Sequence, residues 1–535
     1  MYKNYLFIVA ILLSFHTVFA QEVRISNSSV TQVNNYSARG NNNEEILIIK
    51  LAANVNSPVE LSSLKMNMNG TTNIKDVAQI LIYKKIAKEE FDPRNPLKTS
   101  VLLGKIKPSK RDILIPLQGK ITSDTTCIYV TYEVKENAAE GNKLDASVIS
   151  LTTGNQSHFF ASGNPEGSRE ILLRRTLVYA PNDFGSKNYR IPAITTANDG
   201  SLVILTDKRK FNSTDLPEDI DVVANRSTDG GKTWSEPVTV AEGKGRGKGY
   251  GDALIMKAKS GKLVTLFVGG TGLWGSTAGN PQRTYVSAST DNGKTWSTPR
   301  DITYQIYGYE NSDPVRSKWM SLFFGSGHGL CTKAGRLMGV LTVREPGKNG
   351  LHNYAVYSDD EGENWKVSET AIVNGDEAKV IELNNGDILM SSRQPESYGN
   401  RLWAVSTDGG ITWGKRNTWP EIWGARCDAD IVRLTSTLDG FDKDRILHTM
   451  PNDKTRRNVT MWISYDEAKT WPVKKTIAPN TSAYSSVTIL PDGTIGVYLE
   501  EDEKSSYKMY FINFSLNWLT NNKDKYIPPK GKKRL

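Results

Sequence analysis

Cysteine is nearly missing: the 535 residues hold three, Cys127, Cys331 and Cys427. An odd, widely spaced set offers no disulfide framework. The three read as small buried hydrophobes. Histidine is almost as scarce, with five copies. No Cys/His cluster has metal-ligand spacing, which argues against a zinc site. No metal or organic cofactor is expected. Long apolar runs are also lacking. The best of them, residues 6–13, is too short to span a bilayer. With Lys3 before it and Val18-Phe19-Ala20 after it, residues 1–20 read as a cleaved secretory signal peptide. No cysteine follows the cut, so no lipid anchor is expected there. The expectation is an exported protein, periplasmic or extracellular, with no membrane span. No nucleic-acid module is recognisable, so no nucleic-acid partner is expected. The net charge of +9 is partly concentrated in a basic tail, residues 521–535. A weak positive field of this kind collects anionic substrates.

What is abundant is turn and aromatic chemistry, with 44 Gly, 12 Trp and 22 Tyr. This favours an all-β chain. Residues 21–168 hold alternating apolar runs separated by Asn, Gly, Ser and Pro, which suits a β-sandwich. A linker at 162–167, Ser-Gly-Asn-Pro-Glu-Gly, ends that part. Residues 169–520 repeat themselves. Five segments share the pattern S-x-D-x-G-x-T-W: 227–234, 289–296, 358–365, 406–413 and 464–471. The third has Asn364 for Thr and the fifth Ala468 for Gly. Intervals of roughly 50–70 residues point to the blades of a propeller. Each copy reads as a turn, with Asp bonding backbone N–H groups, Gly supplying positive φ, and Trp packing between blades.

These repeats resemble the Asp boxes of sialidases, or neuraminidases. The resemblance covers about two-thirds of the chain. It implies a six-bladed β-propeller catalytic domain, here preceded by the N-terminal β-sandwich, which either binds sugar or braces the propeller. Tyr189-Arg190-Ile191-Pro192 resembles the family motif that supplies the first of three arginines holding the substrate carboxylate. A planar guanidinium suits that task because it binds a carboxylate in bidentate fashion and stays charged. Arg393 resembles the second arginine. Arg456, in Arg-Arg-Asn-Val-Thr, resembles the third, with its neighbour Arg457 as the alternative register. Glu500 resembles the carboxylate that orients the first arginine.

The resemblance also implies the reaction groups. Sialidases depart from the two-carboxylate glycosidase pattern by using a Tyr nucleophile. A neutral phenol is not repelled by the substrate's own carboxylate, but it needs a base. Tyr484 resembles that nucleophile and Glu377 the base. Asp215 resembles the acid/base on a loop after the first arginine, with Asp219 and Asp221 as rivals. Arg209 and Asp252 resemble further pocket residues, Arg209 toward the sugar's 4-hydroxyl. The Asp252 match is looser, because Ala253 stands where the family has Pro. The implied activity is retaining exo-α-sialidase hydrolysis of terminal sialic acids on glycoproteins, glycolipids and oligosaccharides. Trans-sialidation, anhydro-sugar formation and a non-catalytic sialic-acid-binding propeller are the alternatives. Sialylated glycans are the expected partners, and the chain is expected to be a monomer. The basic glycine-rich segment 243–249 lacks the Gly-Lys-Ser/Thr of a phosphate loop and reads as a loop on the pocket rim.

Overall fold

A computed structural model of the chain describes residues 24–54, 58–88, 90–121, 125–501 and 507–529. The expected signal peptide, residues 1–20, lies outside them, as does the end of the basic tail. The chain is all-β: among the described residues the helices are single turns. Among the described residues, no helix is long and apolar enough to cross a membrane.

The chain divides into two compact units. The first combines residues up to Val33, Asn42–Glu133 and Asp145–Gly167. It contains two sheets. One is ordered Arg24–Gln32, Glu44–Asn54, Thr125–Val134, Val77–Lys85 and Ser100–Ile106. The other carries Gln156–Phe159, Ser147–Thr153, Val59–Asn67 and Asp112–Pro116. Alternation buries one face of each, through Ile46, Ile80 and Ile128 in the first and Leu64, Met66 and Ile115 in the second.

The second unit runs from Ser168 and also takes in Asn34–Asn41 and Val134–Leu144. Most of its strands pair with their chain neighbours in antiparallel fashion, with short parallel pairs at Tyr36–Ala38 with Arg169–Leu172 and at Tyr250–Lys257 with Gly327–His328. The first sheet is Asn188–Thr196, Leu202–Arg209, Ile220–Ser227 and Val238–Ala241. The second begins with Tyr250–Lys257 and Leu263–Gly269, the third centres on Leu337–Arg344 and His352–Ser358, and the fourth begins with Ala378–Glu382 and Ile388–Ser392. A seven-stranded sheet ends the chain, and its long strand Val473–Ile489 belongs to two halves. Its first part pairs with Arg457–Ser464 and its second with Ile495–Glu501. The last strand, Lys508–Phe514, pairs with Arg174–Tyr179 from the start of the unit. Many of these strands are buried along almost their whole length, Leu263–Gly269 entirely. Their apolar runs are therefore nearly continuous, as expected where both faces of a sheet are covered.

All five repeats form the same turn. In the first, Asp229 accepts from Thr233 N at 2.9 Å and Thr233 Oγ1 at 2.6 Å, while Gly231 N donates to Ser227 Oγ at 2.9 Å. The third keeps the pattern because the Asn364 amide replaces the Thr hydroxyl, donating to Asp360 at 2.8 Å. Each turn packs on the preceding sheet. Gly293 faces Val203, Gly362 faces Val264, and Gly410 faces Met338. Trp471 stacks edge-on with Trp419 at 5.4 Å. The first turn packs on the last sheet, Trp234 meeting Phe511 at 5.4 Å.

The fifth repeat differs because Ala468 holds φ +63°, a conformation that costs an L-residue roughly 1–2 kcal/mol. At Gly231 the same methyl would also lie 2.0 Å from the Phe511 ring. Gly231→Ala is therefore expected to lower unfolding stability by about 2–4 kcal/mol. Ala468→Gly is expected to change it by less than about 1 kcal/mol. Urea denaturation of both variants checks the contrast.

Candidate active site

Arg190 lies on Asn188–Thr196 where the pairing slips between Arg190 and Ala193. The bulge turns Ile191 to φ +63°, a strained value for a β-branched residue. Glu500 holds this conformation. Its Oε1 accepts from Arg190 Nε at 3.0 Å and Ile191 N at 2.9 Å. Its Oε2 accepts from Arg190 Nη2 at 2.9 Å and Tyr484 N at 3.3 Å. The Glu500 side chain is fully buried. It is therefore no part of a solvated acidic face. Its neighbour Glu501 is paired separately with Arg175, at 3.0 Å.

Tyr484 sits near the middle of Val473–Ile489, where the pairing with Ile495–Glu501 also slips. Its hydroxyl donates to Glu377 Oε1 at 2.5 Å and accepts from Arg393 Nη1 at 3.2 Å. Arg393 also donates to the other Glu377 oxygen. Arg190 and Arg456 flank the phenol ring, their guanidinium carbons 5.0 and 5.2 Å from its centroid. Burial, followed by the Glu377 anion, drives the Tyr484 phenol well above its ordinary range. Burial pushes Glu377 up as well, but Arg393 and the Tyr484 hydrogen bond reverse this and leave it below its ordinary value. The pair thus rests as a neutral phenol on an ionised carboxylate. Arg401 supports it from behind, donating to the backbone carbonyls of Glu377 at 3.1 Å and Cys427 at 3.2 Å. All three cysteines are free; only Cys427 is fully buried, against Tyr484, while Cys127 and Cys331 are half-buried.

Around these groups lies a cleft of about 330 Å³. Arg190, Arg393 and Arg456 line it, with Asp215, Asp252, Glu377 and Tyr484. Arg457, the alternative third arginine, is exposed and does not line the cleft. Asp215 lies on the loop after Leu202–Arg209, its side chain 75% exposed. Loss of water in the cleft raises its pKa, but Arg209, then Arg190 and Arg456, outweigh this and hold it below the usual range. Its rivals are engaged elsewhere: Lys210 pairs with Asp219 and with Asp221, each at 2.9 Å. Arg209 is buried rather than lining the cleft, and reaches Asp215 Oδ1 at 2.6 Å. Asp252, at a third slipped register with φ +57°, completes that side.

The BNR repeat-like domain model matches residues 212–497, more than half of the chain. A sialidase of Micromonospora viridifaciens is 34% identical over 373 residues, covering 66% of this chain and 55% of its own length. The chain thus spans just over half of that relative. A sialidase of Bacteroides fragilis is 28% identical over 523 residues, covering 90% of this chain and 92% of its own length. The chain belongs to the sialidase family. Among solved structures, the Hadza microbial sialidase Hz136 has the same fold, with a TM-score of 0.72 at 22% identity, covering 92% of this chain and 99% of that one.

Several cleft residues of this sialidase-family chain carry no local motif. Asp376 Oδ2 pairs with Arg393 Nε at 3.3 Å and with Arg426 Nη2 at 3.0 Å. Arg426 adds a fourth guanidinium to the lining, while Leu216, Trp274 and Phe323 give it an apolar part. Asp207 is buried next to Arg209, at 3.5 Å, and burial raises its pKa to about 7 despite that arginine. Asp252 is raised well above its ordinary value by removal from water and then by Asp207. The exposure of Trp274, 73%, could have signalled a functional aromatic, but exposure is invisible in a sequence.

Removing Glu500 would leave Arg190 buried without its partner. Glu500→Ala is expected to destabilise the fold by about 3–5 kcal/mol, read as a lower urea midpoint at unchanged slope.

Proposed function

We propose that this chain is a retaining exo-α-sialidase that cleaves terminal sialic acids from glycoproteins, glycolipids and oligosaccharides. The observation that carries the reading is the 2.5 Å hydrogen bond from the Tyr484 hydroxyl to Glu377, set among Arg190, Arg393 and Arg456. Three guanidiniums in one cleft suit a single carboxylate ligand. They would fix a sialic acid with its anomeric carbon facing the phenol. Glu500 orients Arg190 in this scheme, Arg209 holds Asp215, and Asp252 faces the remainder of the sugar.

In the first step Tyr484 Oη bonds to the anomeric carbon while its proton passes to Glu377. The glycosidic C–O bond breaks, and the departing oxygen takes a proton from Asp215. In the second step water attacks the same carbon and gives its proton to Asp215. The Tyr–sugar bond breaks and the phenol recovers its proton from Glu377. Two inversions give overall retention. The buried phenol needs its base because its own ionisation is so unfavourable.

The four separate sheets of the second unit and the two halves of its seven-stranded sheet are proposed as six blades of one propeller. Support comes from the turn-to-sheet contacts that run from each sheet to the one before it and from the first back to the last. The first unit is proposed as a β-sandwich. Export, to periplasm or medium, is proposed from residues 1–20.

A sialosyl fluoride carrying a second fluorine beside the anomeric carbon should trap the intermediate as a mass adduct on Tyr484. Tyr484→Phe should form none and lose turnover by about a thousandfold or more. Free sialic acid as the product supports hydrolysis. A transferred or anhydro sugar would instead assign the same site to trans-sialidation or its intramolecular counterpart. Binding of sialosides with no turnover would overturn the enzyme reading.

The charges also set a pH signature. Arg190 and Arg456 help depress Asp215, and a bound carboxylate neutralises them. The proton on Asp215 is then held to higher pH in the complex than in the free protein. The basic limb of kcat should therefore lie at higher pH than that of kcat/KM. Coincident basic limbs would contradict this.

A further inference from the structure

The basic, glycine-rich segment 243–249 plays no part in this chemistry, yet the fold packs it against the loop that carries Asp215. That loop joins Leu202–Arg209 to Ile220–Ser227 and has no strand of its own. Two of its carbonyls, and that of Ile220 where the next strand starts, rest on glycines at alternate residues. A methyl group on Gly249 would stand 2.2 Å from the Glu218 oxygen. On Gly243 it would stand 2.5 Å from the Ile220 oxygen, and on Gly272 2.3 Å from the Leu216 oxygen. No side chain fits at such distances from backbone.

Hydrogen bonds close the same contact. Gly247 N donates to the Pro217 carbonyl at 2.6 Å, and Gly243 N to Asp221 Oδ1 at 2.8 Å. Lys210 Nζ donates to the Gly243 carbonyl at 2.7 Å, and Arg246 Nε to Glu218 Oε1 at 2.9 Å. Gly272, buried at φ +73°, belongs to the short turn that presents Trp274 to the cleft. Two separate chain segments therefore grip residues 216–220 from their backbones, directly after Asp215.

We propose that Gly243, Gly249 and Gly272 form a backbone cradle that positions Asp215 for proton transfer. They are positioning residues: none touches the reacting atoms. The proposal rests on the reading of Asp215 as acid/base. An exposed carboxylate on a strandless loop needs such support, because a misplacement of about 1 Å can cost roughly a hundredfold in rate.

The test uses Gly249→Ala and Gly272→Ala in the full chain, with Asp215→Ala alongside. Each is assayed on an aryl sialoside, whose leaving group needs little protonation, and on a sialylated disaccharide, whose leaving group needs it. Binding of free sialic acid is measured by calorimetry. The cradle predicts that kcat on the disaccharide falls about tenfold or more beyond its fall on the aryl substrate. Sialic acid affinity stays within about twofold, because the arginines are untouched. Gly245→Ala is the control: its φ is +104° but nothing lies within 4 Å of the added methyl, so it should show no selective loss.

Equal loss on both substrates, or none, in both cradle variants overturns the cradle if Asp215→Ala itself shows the selective loss. No selective loss in Asp215→Ala overturns the role of Asp215 and the cradle's function together. Hydrogen exchange on the unaltered protein gives a reading even if the variants fail to fold. The Gly247 amide should be strongly protected, and exchange at the rate of a free loop amide overturns the proposal.

Discussion

The site depends on one buried carboxylate. Glu500 takes four donors from two strands: the Nε and Nη2 groups on one edge of the Arg190 guanidinium, the strained Ile191 amide and the Tyr484 amide. It fixes the first arginine and the tyrosine backbone with the same two oxygens. Charge and strain are settled together here. A carboxylate withdrawn from water is tolerable only with such partners, and the αL turn at Ile191 persists only because something holds it.

From that point the arrangement extends outward by shared oxygens. The Tyr484 hydroxyl donates to Glu377, Glu377 holds Arg393, and Arg393 shares Asp376 with Arg426. Arg401 anchors the Glu377 backbone from below. On the other side Arg209 links Asp207 to Asp215. The two halves differ in rigidity. Tyr484 is buried within a long strand and Glu377 is buried directly before one, whereas Asp215 stands on a loop. The glycines at 243, 249 and 272 lie where that difference needs support.

The candidate site was legible wherever its residues sit in a local pattern. Arg190 precedes Ile-Pro at a strand bulge, and Glu500 follows a buried Tyr-Leu pair in a strand. Arg393 follows the strand that pairs with the one beginning just after Glu377. The tie between Arg456 and Arg457 could not be broken by sequence, because adjacent residues at a strand start leave by opposite sides and register decides which faces inward. Asp376, Arg426 and Trp274 carry no pattern of their own and enter the cleft through long-range packing, and Asp207 lies buried behind it against Arg209. The glycine-rich segment 243–249 was readable as a loop, but its partner lies some thirty residues earlier in the chain and across a sheet edge.

The sequence by itself determined the repeating turn, because Ser, Asp, Gly and Thr bond within eight residues and need no distant help. It also determined the all-β character and the family. The tertiary structure decided what the turns pack against, which arginine faces the cleft, and how each carboxyl is charged. Those properties come from proximity between distant segments: Arg393 near Glu377 pulls one carboxyl below its ordinary value, and burial next to Asp207 pushes Asp252 well above its own. Electrostatics of this kind depend on distance and exclusion of water, neither of which is written in any short stretch of chain.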